Sequence, residues 1–173
     1  ESIMWLKLAY ESNDSFSARR AAEALGKMFF LGDEEIQNYK EGIEWFLKAS
    51  FFPKAGSIDT AEGWLGYAYQ KGKGVKINYD EAFSWYEKAA DMEDIYGYLG
   101  LGEIYANGLG KKKDFKKALR WLAPAAKNGV HNAQRIIGEI YLKGLSVQQD
   151  LQKAYYWLNK SVKKNNPYAQ LLL

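Results

Sequence analysis

In residues 133–143 the apolar side chains Ala133, Ile137, Ile140 and Tyr141 fall at offsets 0, 4, 7 and 8, the spacing of one face of an α-helix. The same face recurs around Leu25-Gly26, Leu65-Gly66, Leu101-Gly102 and Ile137-Gly138. Three residues after each of these glycines stands an aromatic: Phe29, Tyr69, Tyr105 or Tyr141. Six after it stands a second glycine, Gly32, Gly72, Gly108 or Gly144, and five before it Ala21, Ala61, Gly97 or Ala133. The pattern predicts a helix, A, closed by the later glycine, which takes the left-handed conformation at little steric cost.

A second helix, B, is predicted to open at Asn38, Asn78, Asp114 or Asp150, whose side chains can accept hydrogen bonds from the unpaired amides of a first helical turn. Four residues on comes Gly42, Ala82, Ala118 or Ala154, and three later Trp45, Trp85, Trp121 or Trp157. Four beyond each tryptophan sits Ala49, Ala89, Ala125 or Ser161, and Trp5 with Ala9 extends the series toward the N-terminus. Small residues a turn to either side leave room for an indole ring, so the tryptophans are expected to be core residues. On that reading Trp121→Ala costs roughly 3–5 kcal/mol.

The tryptophan series Trp5, Trp45, Trp85, Trp121, Trp157 steps by 40, 40, 36 and 36 residues, and each glycine of the series Gly26, Gly66, Gly102, Gly138 precedes its tryptophan by 19. Self-similarity at this period marks stacked helix pairs that share one continuous core. The expected fold is all-α, a right-handed α/α superhelix of stacked antiparallel helix pairs with about 36–40 residues per repeat. One array is expected over residues 1–173: a partial unit 1–16, repeats 17–56, 57–92, 93–128 and 129–164, and a partial unit 165–173, where Ala169 aligns with Ala133. Both ends cut through a unit, so the array is expected to continue beyond them. The B-to-A loops vary, with four extra residues around Ser12–Ser17 and Pro53–Ile58.

The combination Leu65-Gly66-x-x-Tyr69-x-x-Gly72-x-Gly74-Val75, then Asp80-Glu81-Ala82-x-x-Trp85-Tyr86-x-Lys88-Ala89-Ala90, resembles the Sel1-like repeat, a relative of the tetratricopeptide repeat. It recurs at Leu101-Gly102-x-x-Tyr105-x-x-Gly108-x-Gly110 with Ala118, Trp121, Ala125 and Ala126, and the resemblance covers essentially the whole chain. Glu34 and Ser146 replace the second loop glycine, and Gly42 replaces the alanine before Trp45, which puts the loop geometry of those units in question. The resemblance implies a scaffold without an active site, an adaptor in eukaryotic secretory-pathway quality control or in bacterial host interaction and envelope processes. A dedicated inhibitor, such as a bacterial immunity protein that neutralises a toxin, is the alternative it implies.

Composition narrows the chemistry further. The 173 residues include no Cys and a single His, which excludes a thiolate nucleophile, a cysteine-based zinc site and multi-histidine metal sites. Residues 1–94 hold 11 Lys and Arg against 17 Asp and Glu, whereas residues 95–173 hold 13 against 4, so net charges of −6 and +9 divide the chain. Such polarity biases encounter with partners. The longest apolar runs, such as Met28–Leu31, fall far short of a membrane span, and Glu1–Trp5 lacks the features of a signal peptide. Cytoplasmic, periplasmic and secretory-lumen settings all stay open.

Weighed against the repeat, the local motifs carry little. His131 reads as an exposed turn residue, and no second imidazole or thiol is present to complete a triad. Ser161-x-x-Lys164 matches a short acylation motif, but Ser161 already occupies the small-residue register. The clusters Gly97–Gly102, Gly72-Lys73-Gly74 and Gly108–Lys111 complete no phosphate-loop pattern. The basic run Lys111–Lys117 lacks a stacking platform, so nucleic acid is not expected as a partner. Asn13-Asp14-Ser15 and Asn159-Lys160-Ser161 fit the glycosylation triplet, Asn159 within a predicted helix.

No catalytic, metal or cofactor residue is therefore assigned, and the chain is expected to be a non-enzymatic protein–protein adaptor. Helix A residues at fixed offsets from the first glycine would line the concave side of such a stack: Trp64, Tyr67, Gln70, Glu103, Arg135 and Glu139. Trp64, off the tryptophan series, either covers a small neighbour inside the stack or serves as an exposed anchor, and it heads this set. A protein or peptide is the expected partner, and self-association is left open. The repeat framework itself rests on Gly26, Gly66, Gly102 and Gly138, Tyr69, Tyr105 and Tyr141, and Trp45, Trp85, Trp121 and Trp157.

Overall fold

A computed structural model describes residues 2–12, 14–53 and 60–162. Among these the chain forms nine helices and no strand: α1 (Ser2–Tyr10), α2 (Ser15–Leu31), α3 (Tyr39–Ser50), α4 (Ala61–Lys71), α5 (Tyr79–Asp91), α6 (Ile95–Asn107), α7 (Phe115–Lys127), α8 (His131–Lys143) and α9 (Leu151–Val162). Helices α2, α4, α6 and α8 are the predicted A helices, and α3, α5, α7 and α9 the B helices. The partial unit 165–173, residues 54–59 of the second long loop, Asn13 and Lys164 lie outside the described residues.

The predicted starts hold in detail. Asn38 accepts from the Glu41 amide, Asn78 from Asp80 and Glu81, Asp114 from Lys117 and Asp150 from Lys153. Each capping residue also donates its own backbone N–H to the carbonyl of the aromatic nine residues earlier: Asn38 to Phe29 (2.8 Å), Asn78 to Tyr69 (3.0 Å), Asp114 to Tyr105 (2.9 Å) and Asp150 to Tyr141 (3.1 Å). The recurring aromatic thus marks the residue whose carbonyl pins each A-to-B turn.

The helix-ending glycines behave as expected at Gly72, Gly108 and Gly144, with φ of 69°, 73° and 62°. Gly32 departs, with φ −59°. There a Cβ would lie 2.5 Å from the Met28 carbonyl oxygen, so close backbone approach requires glycine where φ does not. The second loop position is left-handed at Gly74 and Gly110 and also at Ser146, which takes φ 57°. Ser146 therefore keeps the loop at the cost of strain, whereas the Gly32–Glu34 turn is built differently.

The described chain divides into two compact units, residues up to Gly97 and residues from Tyr98. In the first, α1 packs on α2, α2 on α3, α3 on α4 and α4 on α5, around Leu25, Phe29, Phe30, Ile43, Trp45, Phe46 and Leu65. In the second, α8 packs on both α7 and α9, and Leu101, Ile104, Leu122, Ile137, Ile140 and Leu158 are buried.

The tryptophan expectation needs correction. Trp45 is buried (7% exposed), but Trp85, Trp121 and Trp157 are half-buried and Trp5 is 67% exposed. The side chain seated against each repeat glycine is the next residue along. A Cβ on Gly26 would meet the Phe46 ring at 2.5 Å, one on Gly66 the Tyr86 ring at 2.5 Å, one on Gly102 Leu122 at 2.4 Å, and one on Gly138 Leu158 at 2.6 Å. These four side chains are buried and are flanked by buried small residues four before and three after them, from Gly42 and Ala49 to Ala154 and Ser161. The tryptophans instead border this seam, and three are roofed by a lysine three residues on: Lys48 at 3.8 Å from the Trp45 ring centre, Lys88 at 4.0 Å from Trp85 and Lys160 at 5.6 Å from Trp157.

Candidate partner-binding surface

In the first unit the A helices α2 and α4 are neighbours, joined by an aromatic cluster and a buried ionic one. Phe30 of α2 packs edge-on against Trp64 (5.6 Å between ring centres) and Tyr67 (6.2 Å) of α4. Trp64 stacks on Phe46 at 5.9 Å and 5°, and meets Tyr67 at 6.2 Å. Trp64 is half-buried, packed on Phe30, Phe46 and Tyr67. Tyr67 is the more exposed of the two, at 38%.

Gln70 does not belong on this surface. It is buried, and its Oε1 accepts a hydrogen bond from the Tyr86 hydroxyl at 2.7 Å. Position 86 is the residue seated against Gly66, so Gln70 satisfies the one polar atom that a tyrosine carries into the seam.

In the second unit Arg135 and Glu139, one turn apart on α8, form an ion pair of 2.7 Å at a half-exposed site. Glu103 of α6 is half-buried, and its backbone carbonyl accepts from the Asn107 side-chain Nδ2. Trp64, Tyr67 and Gln70 thus fall in the first unit and Glu103, Arg135 and Glu139 in the second.

Two buried polar clusters escape sequence reading. Arg19, fully buried, donates to Glu23 (3.0 Å), Glu62 (2.7 Å) and the Phe52 carbonyl (2.7 Å), and so fastens α2 to α4. Burial raises the Glu23 carboxyl above its ordinary range, and the charges of Arg19 and Lys27 oppose that rise. Beside it, Asp94 accepts from the Thr60 amide and hydroxyl (2.7 Å each) and from the Tyr96 amide (2.7 Å), which caps α6. Burial raises Asp94 as well, against those hydrogen bonds. Gly63 is required here, since a Cβ would lie 2.6 Å from Asp94 Oδ2. The four polar residues occupy register positions that differ from unit to unit, which is why the period does not announce them.

The remaining candidates resolve structurally. His131 is the first residue of α8 and half-buried rather than an exposed turn residue, and its carbonyl accepts from the buried Ser161 hydroxyl at 3.0 Å. Ser161 is thereby a bridge between α9 and α8. In the basic run, Lys113 lies over Phe115 and Lys117 over Tyr105. Among the described residues no group of His, Asp and Glu could hold a metal ion, and no helix is long and apolar enough to cross a membrane.

An all-helical stack of short A–B pairs, with in-register glycines and closed A-to-B turns, defines a helical-repeat solenoid. The model of the Sel1 repeat matches residues 19–50, 60–94, 95–130 and 131–166, and the chain belongs to that family. A Sel1 repeat protein from Oxalobacter formigenes is 33% identical with a TM-score of 0.80, covering 99% of this chain and 66% of that one. A protective antigen of uropathogenic Escherichia coli with the same repeat fold is 30% identical with a TM-score of 0.81, covering 98% of this chain and 35% of the antigen. The chitin synthase regulator SKT5 of Saccharomyces cerevisiae is 40% identical over 68 residues, 38% of this chain and only 9% of the regulator. Sel1 repeats are protein-interaction modules, and the family is generally a non-catalytic scaffold.

Proposed function

We propose that this chain, with repeats over 17–56, 57–92, 93–128 and 129–164, is a non-enzymatic adaptor that binds a partner protein through the outward stripes of its A helices. The observation that carries the reading is how the A helices divide their side chains. One face is consumed by the glycine seam and the buried polar clusters, while Tyr67, packed at one side on Phe30 and Trp64, is exposed and the Arg135–Glu139 pair is partly exposed. Exposed aromatic and arginine side chains on rigid helices are the usual anchors of interfaces. SKT5 is by its name a regulator of another protein, which fits an adaptor role.

The test is affinity capture with wild-type protein and with Tyr67→Ser/Arg135→Ala, both checked by circular dichroism and thermal melting. Trp64 is left intact because it also packs on Phe46. Loss of specific partners from the variant is expected. An identical set of captured proteins, with identical melting, would overturn the assignment of these stripes.

A further inference from the structure

Residues 1–94 carry a net charge of −6, yet the exposed charge on the two A helices of the first unit is of the opposite sign. The carboxylates of α2 and α4 are Glu23 and Glu62, and both are buried on Arg19. What α2 and α4 expose is Arg20 and Lys71, while Lys27 is half-buried and acts on Glu23. The exposed acidic residues of the helices sit on the B helices instead: Glu44 on α3 and Asp80, Glu81, Glu87 and Asp91 on α5. Asp14 and Asp33–Glu35 bracket α2 and lie outside it.

Apolar groups accompany the positive ones. On α2, Phe16, Arg20, Lys27 and Leu31 are spaced by 4, 7 and 4 residues and follow one stripe. On α4, Trp64, Tyr67 and Lys71 follow another, spaced by 3 and 4. Phe16 and Leu31 are half or more exposed, and the Arg20 guanidinium lies 5.6 Å from the Phe16 ring centre. Phe30 joins the stripes through Trp64 and Tyr67.

Resting on the adaptor reading above, we infer that the α2–α4 face takes an acidic peptide segment of its partner, one whose carboxylates alternate with apolar anchors. The carboxylates would pair with Arg20 and Lys71, and the apolar side chains would lie on Phe16, Leu31 and Tyr67. The buried Arg19–Glu23–Glu62 cluster contributes to this selectivity, because it withdraws the carboxylates carried by the two helices themselves from a surface where they would repel such a ligand.

The experiment selects a displayed library of random short peptides on the wild-type chain, on Arg20→Glu/Lys71→Glu and on Tyr67→Ser, each confirmed folded by circular dichroism. Wild type is expected to enrich peptides rich in Asp and Glu together with Leu, Phe, Tyr or Trp. Their affinity should fall as salt rises and weaken more than about tenfold with Arg20→Glu/Lys71→Glu, which should enrich basic peptides instead. Neutral or basic peptides on wild type, unchanged selection by the charge-reversed variant, or no enrichment would overturn the inference. Peptides that depend on Tyr67 but not on charge would overturn the acidic specificity and leave the adaptor reading standing. A single-stranded RNA oligonucleotide that binds more tightly than the best peptide and needs Arg20 and Lys71 would also overturn it.

Discussion

Gly102→Ala places a methyl group 2.4 Å from both Cγ and Cδ2 of Leu122, where carbon atoms ordinarily sit about 3.5–4.0 Å apart. The two helices must separate by about 1 Å or Leu122 must leave its rotamer, and overpacking of this kind costs roughly 1–3 kcal/mol. Against that stands the gain from replacing a mid-helix glycine, close to 1 kcal/mol. The single substitution is therefore expected to destabilise by up to about 2 kcal/mol. Leu122→Ala alone, at a fully buried position, is expected to cost about 2–5 kcal/mol. In the Leu122→Ala background nothing opposes the new methyl group, which now fills part of a cavity, so Gly102→Ala should change sign and stabilise by about 1 kcal/mol. Urea unfolding of the four proteins, followed by both far-ultraviolet circular dichroism and tryptophan fluorescence, measures the cycle. The two signals are needed because repeat arrays can lose two-state behaviour. Equal effects of Gly102→Ala in both backgrounds would show that the glycine does not exist to seat Leu122, and the packing argument for all four repeat glycines would fall with it.

Other expectations can be checked with the same unfolding assay. Trp121→Ala should cost about 1–3 kcal/mol, less than the figure expected for a fully buried ring, because Trp121 borders the seam. Arg19→Met leaves two buried carboxylates without their counter-charge and should cost about 3–5 kcal/mol, much of it recovered by adding Glu23→Gln and Glu62→Gln; no recovery would argue against the ionic account. Glu23 has a folded-state pKa raised above its ordinary 4.5, so the folded protein holds this proton more tightly than the unfolded chain does. Its contribution to stability must therefore fall as pH rises from about 4.5 through the folded-state value, and the advantage of Glu23→Gln over wild type should grow over that window; a pH-independent difference would refute the sign. Ser146→Gly relieves a left-handed serine and should stabilise by about 0.5–1 kcal/mol, seen as a higher melting temperature.

The surface reading was only partly legible in the sequence. Tyr67 is exposed and Arg135 and Glu139 are partly so, but Gln70 at the neighbouring offset turns inward to serve the Tyr86 hydroxyl. Fixed offsets locate a stripe along a helix. They do not reveal that a tyrosine in one unit, unlike the phenylalanine and leucines in the others, brings a hydroxyl needing a buried acceptor. Arg19, Glu23, Glu62 and Asp94 were invisible for a related reason: each looks like an ordinary surface charge until partners distant in the chain bury it.

What the amino-acid sequence determined by itself was local and periodic. Capping Asn and Asp residues, helix-ending glycines and the repeat spacing placed nearly every helix, because amide satisfaction and backbone sterics act within a few residues. What only tertiary packing decided was rotation about each helix axis. Tryptophan and its successor are 100° apart on the same helix, and periodicity alone favoured the larger, rarer ring. The close approach of two backbones at a glycine leaves room for the side chain that points straight across, and that is Phe46, Tyr86, Leu122 and Leu158, with the indoles left at the border of the seam.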